Sequence, residues 1–273
     1  MTVLFVRSPR ATSLAAQWVE PPGTGWVSLT AYHHDTRQRF DSRGDEQPFF
    51  AEGHAIATSL YISSAVGVVQ GLDVWAEIPF HRLQFDDVVD ERTSTGIGDP
   101  RFWLRLAPLR FVGSDFPLAL RAGVKLPAGD FPIDAEVIPL GEGQRDWEVI
   151  VEVGHSFYPA PHYVMAWLGH RWREEEEKTL RDWGDERFFL AQVGGSLGSV
   201  GYKVLAEGWT GDTPIIEGIP VPSASREFAQ VTPSLTYAVG PGQLEAGVRL
   251  PIGGHNLPAG HALVLGYFFT WSW

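Results

Sequence analysis

The chain contains no cysteine, which excludes a disulfide framework, a thiolate nucleophile and a thiolate metal site. It also lacks a basic surplus. Its 33 acidic against 21 basic side chains give a formal net charge of -12, which argues against binding to phosphate backbones, so no nucleic-acid partner is expected. No stretch approaches the roughly 18 uninterrupted apolar residues of a membrane helix. That absence excludes spanning by helices alone, because the strands of a membrane barrel are short and alternating. Catalytic signatures are missing too. There is no Gly-x-Ser-x-Gly elbow, phosphate loop or dinucleotide fingerprint, and His155 and Ser156 are neighbours that point apart on a strand. The chain reads as non-enzymatic and without a cofactor. His33 and His34 likewise face opposite ways and cannot chelate together, so no metal site is expected.

What is present suits many strands joined by turns: 30 Gly, 20 Pro and 11 Trp in 273 residues, with 44% hydrophobic. From Leu72 to Lys125 the residues sort by parity. Leu72, Val74, Ala76, Ile78 and Phe80 are apolar, and between them stand Asp73, Trp75, Glu77, Pro79 and His81. Phe102, Leu104 and Leu106 alternate with Arg101, Trp103 and Arg105; Leu118, Leu120, Ala122 and Val124 alternate with Arg121, Gly123 and Lys125. A period of two is the strand signature. The second face carries charges of both signs beside large aromatics. A soluble barrel would solvate those charges, whereas a membrane barrel turns its apolar side chains to lipid and its polar ones to the lumen.

Twelve strand-like segments follow from this reading: 25–40, 54–66, 72–85, 99–108, 117–126, 145–154, 162–172, 187–197, 201–210, 226–239, 244–252 and 261–273. Their connections alternate. Linkers 41–53, 86–98, 127–144, 173–186, 211–225 and 253–260 are mostly long, and those between are short. Long loops on one side and tight turns on the other match an outer-membrane barrel with both termini on the short-turn side. Residues 1–24, which end in Pro21-Pro22-Gly23, read as an N-terminal tail or signal remnant, and residues 25–273 as the barrel. Ser13-Leu14-Ala15-Ala16 looks like a signal-peptidase site with no adequate hydrophobic core before it; a replaced or mis-started export signal is the favoured reading. On the last strand Tyr267, Phe269, Trp271 and Trp273 share a face and suit a membrane–water interface, where ring and polar handle each meet their preferred medium.

Opposite charges recur on the polar face at cross-strand spacing. Asp73 and Glu77 precede Arg101 and Arg105. Arg121 and Lys125 precede Asp146, Glu148 and Glu152. Lys203, Glu207, Glu245 and Arg249 continue the set. These residues are expected to line a lumen, either bracing it or shaping a narrow polar path.

Three loop motifs carry a resemblance. Thr95-Gly96-Ile97-Gly98-Asp99, Lys125-Leu126-Pro127-Ala128-Gly129-Asp130 and Leu140-Gly141-Glu142-Gly143-Gln144-Arg145-Asp146-Trp147 resemble, in order and spacing, signatures of the outer-membrane proteins of the phenol-degradation meta-pathway family. The likeness extends over roughly residues 22 to 273. It implies a bacterial outer-membrane β-barrel with roles in uptake of aromatic or other small molecules. The reading is therefore an all-β, single antiparallel up-and-down transmembrane barrel of about twelve strands, porin-like, with membrane lipid and a small-molecule solute as partners. A non-conducting anchor or binding platform is the first alternative, and a soluble ligand-binding barrel the second.

Overall fold

The computed structural model describes residues 19–114, 116–132 and 137–273. Among these, twelve long strands form the wall: β1 (Thr24–Thr36), β2 (His54–Val69), β3 (Leu72–Asp86), β4 (Arg101–Leu106), β5 (Leu118–Lys125), β6 (Asp146–Ser156), β7 (His162–Arg173), β8 (Glu186–Leu197), β9 (Val200–Gly211), β10 (Glu227–Val239), β11 (Gly242–His255) and β12 (Ala262–Ser272). Each is antiparallel to its sequence neighbours. β12 returns to β1, with Thr24 opposite Ser272 and His34 opposite Ala262, which closes the ring. Closure removes the unpaired edges that an open sheet would expose.

Orientation follows from parity. Leu104, Leu120 and Val151 are 57%, 40% and 43% exposed, while Arg105 and Glu148 are 0% and 6% exposed. The apolar set points away from the barrel and the charged set into it. A soluble barrel ligand site is thereby excluded, because its apolar face would have to be the hidden one; this is the transmembrane arrangement. Tyr267, Phe269, Trp271 and Trp273 sit toward the short-turn end of the last strand, with the Trp271 and Trp273 rings stacked at 4.6 Å. The turns at that end are tight, such as 70–71, 198–199 and 240–241, and Trp273 N–H donates to the Gly23 carbonyl at 3.0 Å beside them.

Two expected segments differ in detail. The first strand stops at Thr36 rather than residue 40, because the Thr36 hydroxyl accepts the Gln38 N–H at 3.0 Å and turns the chain. Gln38–Phe40 instead pairs with Glu46–Pro48 and Leu257–Ala259 in a small sheet at the long-loop end. Within linker 86–98, Glu91–Ile97 is a strand that pairs with the upper half of β3, while β4 pairs with the lower half. Gly98-Asp99-Pro100 separates the two pieces, and Pro100 has no N–H to continue a ladder.

Residues 1–18 lie outside the described residues, so the signal-like Ser13–Ala16 is not placed. Val19 to Pro21 are placed. Val19 is buried against Ala107 and Ala119, and the Glu20 N–H donates to Asp73 Oδ2 at 2.8 Å. The chain thus enters β1 from inside the short-turn end.

Candidate functional site

The register sets the charged residues opposite one another. Asp73 faces Arg105 and Glu77 faces Arg101 across β3 and β4, and Lys125 faces Asp146 across β5 and β6. Parity then turns each pair to the same side, where no lipid competes for them.

The charged residues of the inward face fall into two environments. One wall, built by β3 to β8, is packed. Asp73 receives Arg105 in a bidentate contact, Nη2 at 2.6 Å and Nε at 3.1 Å. Glu152 accepts from Arg105 Nη1 at 3.4 Å and pairs closely with Arg121. The Arg121 guanidinium lies between aromatic rings, 4.0 Å from the Trp75 centroid and 4.3 Å from that of Trp167. Trp26 packs edge-on against Trp75 at 4.9 Å, and the Trp103 indole N–H donates to Glu148. Buried charge is costly unless paired, and here each buried charge has an opposite partner or a π-face. Gly123 is required beneath this cluster, because a Cβ there would run into the Trp103 ring.

The packed wall continues to the long-loop end through residues that the alternation did not single out. Arg171 bridges Glu148 at 2.9 Å and Glu186 at 2.6 Å, and Arg173 bridges Glu186 at 2.7 Å and Glu142 at 2.7 Å. Lys125 binds Asp146 at 2.8 Å and Glu142 at 2.5 Å. Glu142 belongs to the loop between β5 and β6, so it pins that loop into the barrel. Partial burial alone would raise its pKa, but the Arg173, Lys125 and Arg226 charges together hold its carboxyl well below the usual range.

The three loop motifs meet at Asp99. Its Oδ1 accepts the Gly129 N–H at 2.9 Å, its Oδ2 accepts the Glu142 N–H at 2.8 Å, and Lys125 Nζ stands 3.8 Å away. Gly129 and Gly141 abut so closely that a Cβ on Gly129 would lie 2.7 Å from the Gly141 Cα. The glycines and aspartates of the motifs therefore make one loop junction at the break between the two pieces of the fourth strand.

The opposite wall, β9 to β12 with β1, is open. Lys203, Glu207, Glu245 and Arg249 retain 20–29% side-chain exposure and form two separate pairs, Lys203–Glu245 at 2.6 Å and Arg249–Glu207 at 3.8 Å. With Glu77 and Arg101 they border a cavity of about 1830 Å³. That cavity reaches from Gly198 and Pro241 at the short turns to Trp209 and Phe228 near the long loops. Val19, Glu20 and Pro21 form part of its short-turn end. A second cavity of about 270 Å³ lies beyond it at the long-loop mouth, roofed by Leu257, Pro258 and Gly260. Asp73, Arg105, Lys125 and Glu152 border neither space, while Arg121 and Glu148, with Trp75, Trp103, Trp167 and Arg171 of the packed wall, line the larger.

Among the described residues, no three His, Asp or Glu side chains converge in a metal-binding arrangement. In the loop between β7 and β8, Glu176 is 2% exposed and accepts the Lys178 and Thr179 N–H groups and the Thr179 hydroxyl.

No family model and no curated relative matches the sequence. Solved structures do. The fold is similar to that of an outer-membrane channel from Pseudomonas putida F1, with TM-score 0.74 and 12% identity over 94% of this chain and 98% of that one. It is also similar to CymD, a monoaromatic hydrocarbon channel, with TM-score 0.50 and 9% identity over 93% of this chain and 89% of that one. At such identities the likeness concerns architecture, and the chain has the closed twelve-stranded barrel fold of outer-membrane channels.

Proposed function

We propose that this protein is a bacterial outer-membrane channel that passes small organic solutes, aromatic ones included, along the open wall of its lumen. The observation that carries the reading is the division of the interior. One wall is braced by buried ion pairs and edge-packed tryptophans and lines the larger cavity with few free charges, and the other, with the start of β2, borders both cavities from the short turns to the long-loop mouth. Twelve strands lie between the roughly 8 that side chains fill completely and the roughly 16–18 that leave a wide aqueous pore. A narrow route beside a braced wall is what that intermediate size permits.

In this account the charged residues of the inward face have two roles. Asp73, Arg105, Arg121, Lys125, Glu148 and Glu152 brace, while Glu77, Arg101, Lys203, Glu207, Glu245 and Arg249 face the solute. Tyr267, Phe269, Trp271 and Trp273 anchor the short-turn rim at the membrane interface. The resemblance to a monoaromatic hydrocarbon channel supports an organic solute, as do Trp26, Tyr202, Trp209 and Phe268 on the cavity wall.

Planar-bilayer recording with the detergent-purified protein tests this. Discrete conductance steps are expected. Glu245→Gln is expected to lower cation preference, because it removes a partly exposed negative charge from the route. A barrel that inserts into lipid without conducting overturns the channel reading in favour of an anchor or binding platform.

A further inference from the structure

The outer wall changes character in a single step. Across β1, β2, β3 and Glu91–Ile97 the register aligns Ala31, Leu60, Phe80 and Ile97 in one row. The next outward row toward the long loops is His33, Thr58, Arg82 and Thr95. The first row is wholly apolar, and the second is wholly polar with all four members exposed. From there down to the short turns, the outward side chains of β1 to β3 carry no charge. Between Leu72 and Arg82 the chain climbs about 33 Å along β3, which is about 25 Å of height at a tilt of about 40°. That matches the apolar band of an outer-membrane barrel. Arg82 therefore stands where acyl chains end and head groups begin.

The Arg82 guanidinium is unspent: among the described residues it makes no hydrogen bond, ion pair or ring contact. Of the acids in the rows above, Asp35 and Asp86 both turn to His54, at 2.6 and 3.3 Å, and Glu91 stands two rows away. Thr58 and Thr95 sit directly opposite Arg82 on either side, at roughly 4.5–5.5 Å between Cβ atoms. His33 Nδ1 lies 2.9 Å from the Thr58 hydroxyl. When that nitrogen carries its proton, the Thr58 oxygen accepts it and the hydroxyl hydrogen is left to donate outward. The row is thus a planar cationic fork with a hydroxyl on each flank and an apolar ledge beneath.

We infer that this row is a binding site for the phosphomonoester of a membrane lipid in the leaflet on the long-loop side. The guanidinium takes two phosphate oxygens through parallel N–H bonds, and the flanking hydroxyls reach the third. The acyl chains run down the wall over Leu60, Phe80 and Ile97. Both halves of such a molecule are matched, whereas free phosphate leaves the apolar ledge unused. A phosphodiester offers these donors one unesterified oxygen fewer, and a neutral head group gives the arginine no counter-charge. The site rests on the transmembrane reading, which turns this face to lipid, and is independent of whether the lumen conducts.

Native mass spectrometry of the detergent-purified full chain, with phosphatidic acid and diacylglycerol of identical acyl chains as probes, isolates the phosphate. The parent protein is expected to retain phosphatidic acid about fivefold or more over diacylglycerol. Arg82→Gln, with its fold verified by heat-modifiable gel mobility, is expected to abolish that preference. Arg187→Gln removes an exposed arginine of β8, paired with Asp212 at 3.4 Å, and is expected to leave the preference intact. Equal retention of the two lipids by the parent overturns the inference without recourse to any variant. So does a preference that survives Arg82→Gln, or one lost equally in Arg187→Gln. Release of phosphatidic acid by equimolar inorganic phosphate assigns the row to the free anion and overturns it too. Lipid discrimination of the expected pattern in a protein that never conducts supports the site and removes the channel reading. Conductance without lipid discrimination does the reverse.

Discussion

Glu152→Gln is the sharpest perturbation of the packed wall. Glu152 is completely buried and serves two cations, Arg105 and Arg121. Arg105 keeps its bidentate bond to Asp73 in the variant. Arg121 keeps only the Trp75, Trp103 and Trp167 faces and the more distant Glu148 charge. Removing one partner from a buried pair costs about 3–5 kcal/mol, because the other charge stays desolvated. The glutamine oxygen still accepts one bond and the rings offset part of the loss, which places the variant near the low end, about 3 kcal/mol. That is a factor on the order of a hundred in the folding equilibrium. For a chain of this size it corresponds to a drop of about 6–12 °C in the temperature at which heat-modifiable mobility is lost. The pairwise reasoning makes a second demand. The double variant Arg121→Met with Glu152→Met removes both charges together, and is expected to recover most of the loss. A Glu152→Gln protein as heat-resistant as the parent would refute this account of the wall. So would a double variant at least as labile as the single one.

Three further outcomes follow. Gly141→Ala places a methyl group against Asp99 and Gly129, and is expected to expose the loop between β5 and β6 to limited proteolysis while the barrel stays folded. The depressed Glu142 pKa means that its contribution is present above the ordinary carboxylate range and is lost only as pH falls through the lower folded value. Proteolysis of the same loop is therefore expected to stay flat from neutral pH down to about 4, near the ordinary carboxylate value, and to rise only in stronger acid. Leu120→Arg on the outer face is expected to destabilise folding into vesicles by about 2–4 kcal/mol, measured by denaturant refolding, and a neutral effect there would contradict the lipid-facing assignment.

Much of this architecture was legible because two periods coincide. Side-chain parity separates Leu104 from Arg105, and counting residues through the hairpins brings Lys125 opposite Asp146. Both need only the alternation of a strand and a linker of known length. Arg171, Arg173 and Glu186 escaped the same reading because their inward face also carries Met165, Trp167, Gly169 and Phe188, so the stretch shows no clean split between apolar and charged sets. Glu91–Ile97 was hidden by Gly96, Gly98 and Pro100, which punctuate like a loop although the first piece still pairs with β3. The role of Asp99 could not be read locally at all. Its two partners lie 30 and 43 residues away, and only the pairing of β4 with β5 and of β5 with β6 brings them together. Tyr32 and Trp209 likewise are far apart in sequence and border the same cavities only because the ring closes.

The central claim is that one side of the interior is structural and the other is the route. Single-channel recording of Glu152→Gln beside Glu245→Gln tests it directly. The account predicts that the Glu152 variant, though less stable, keeps the parent's ion selectivity, whereas the Glu245 variant loses cation preference. A selectivity change at Glu152 with none at Glu245, or no conductance from the parent protein, would contradict it.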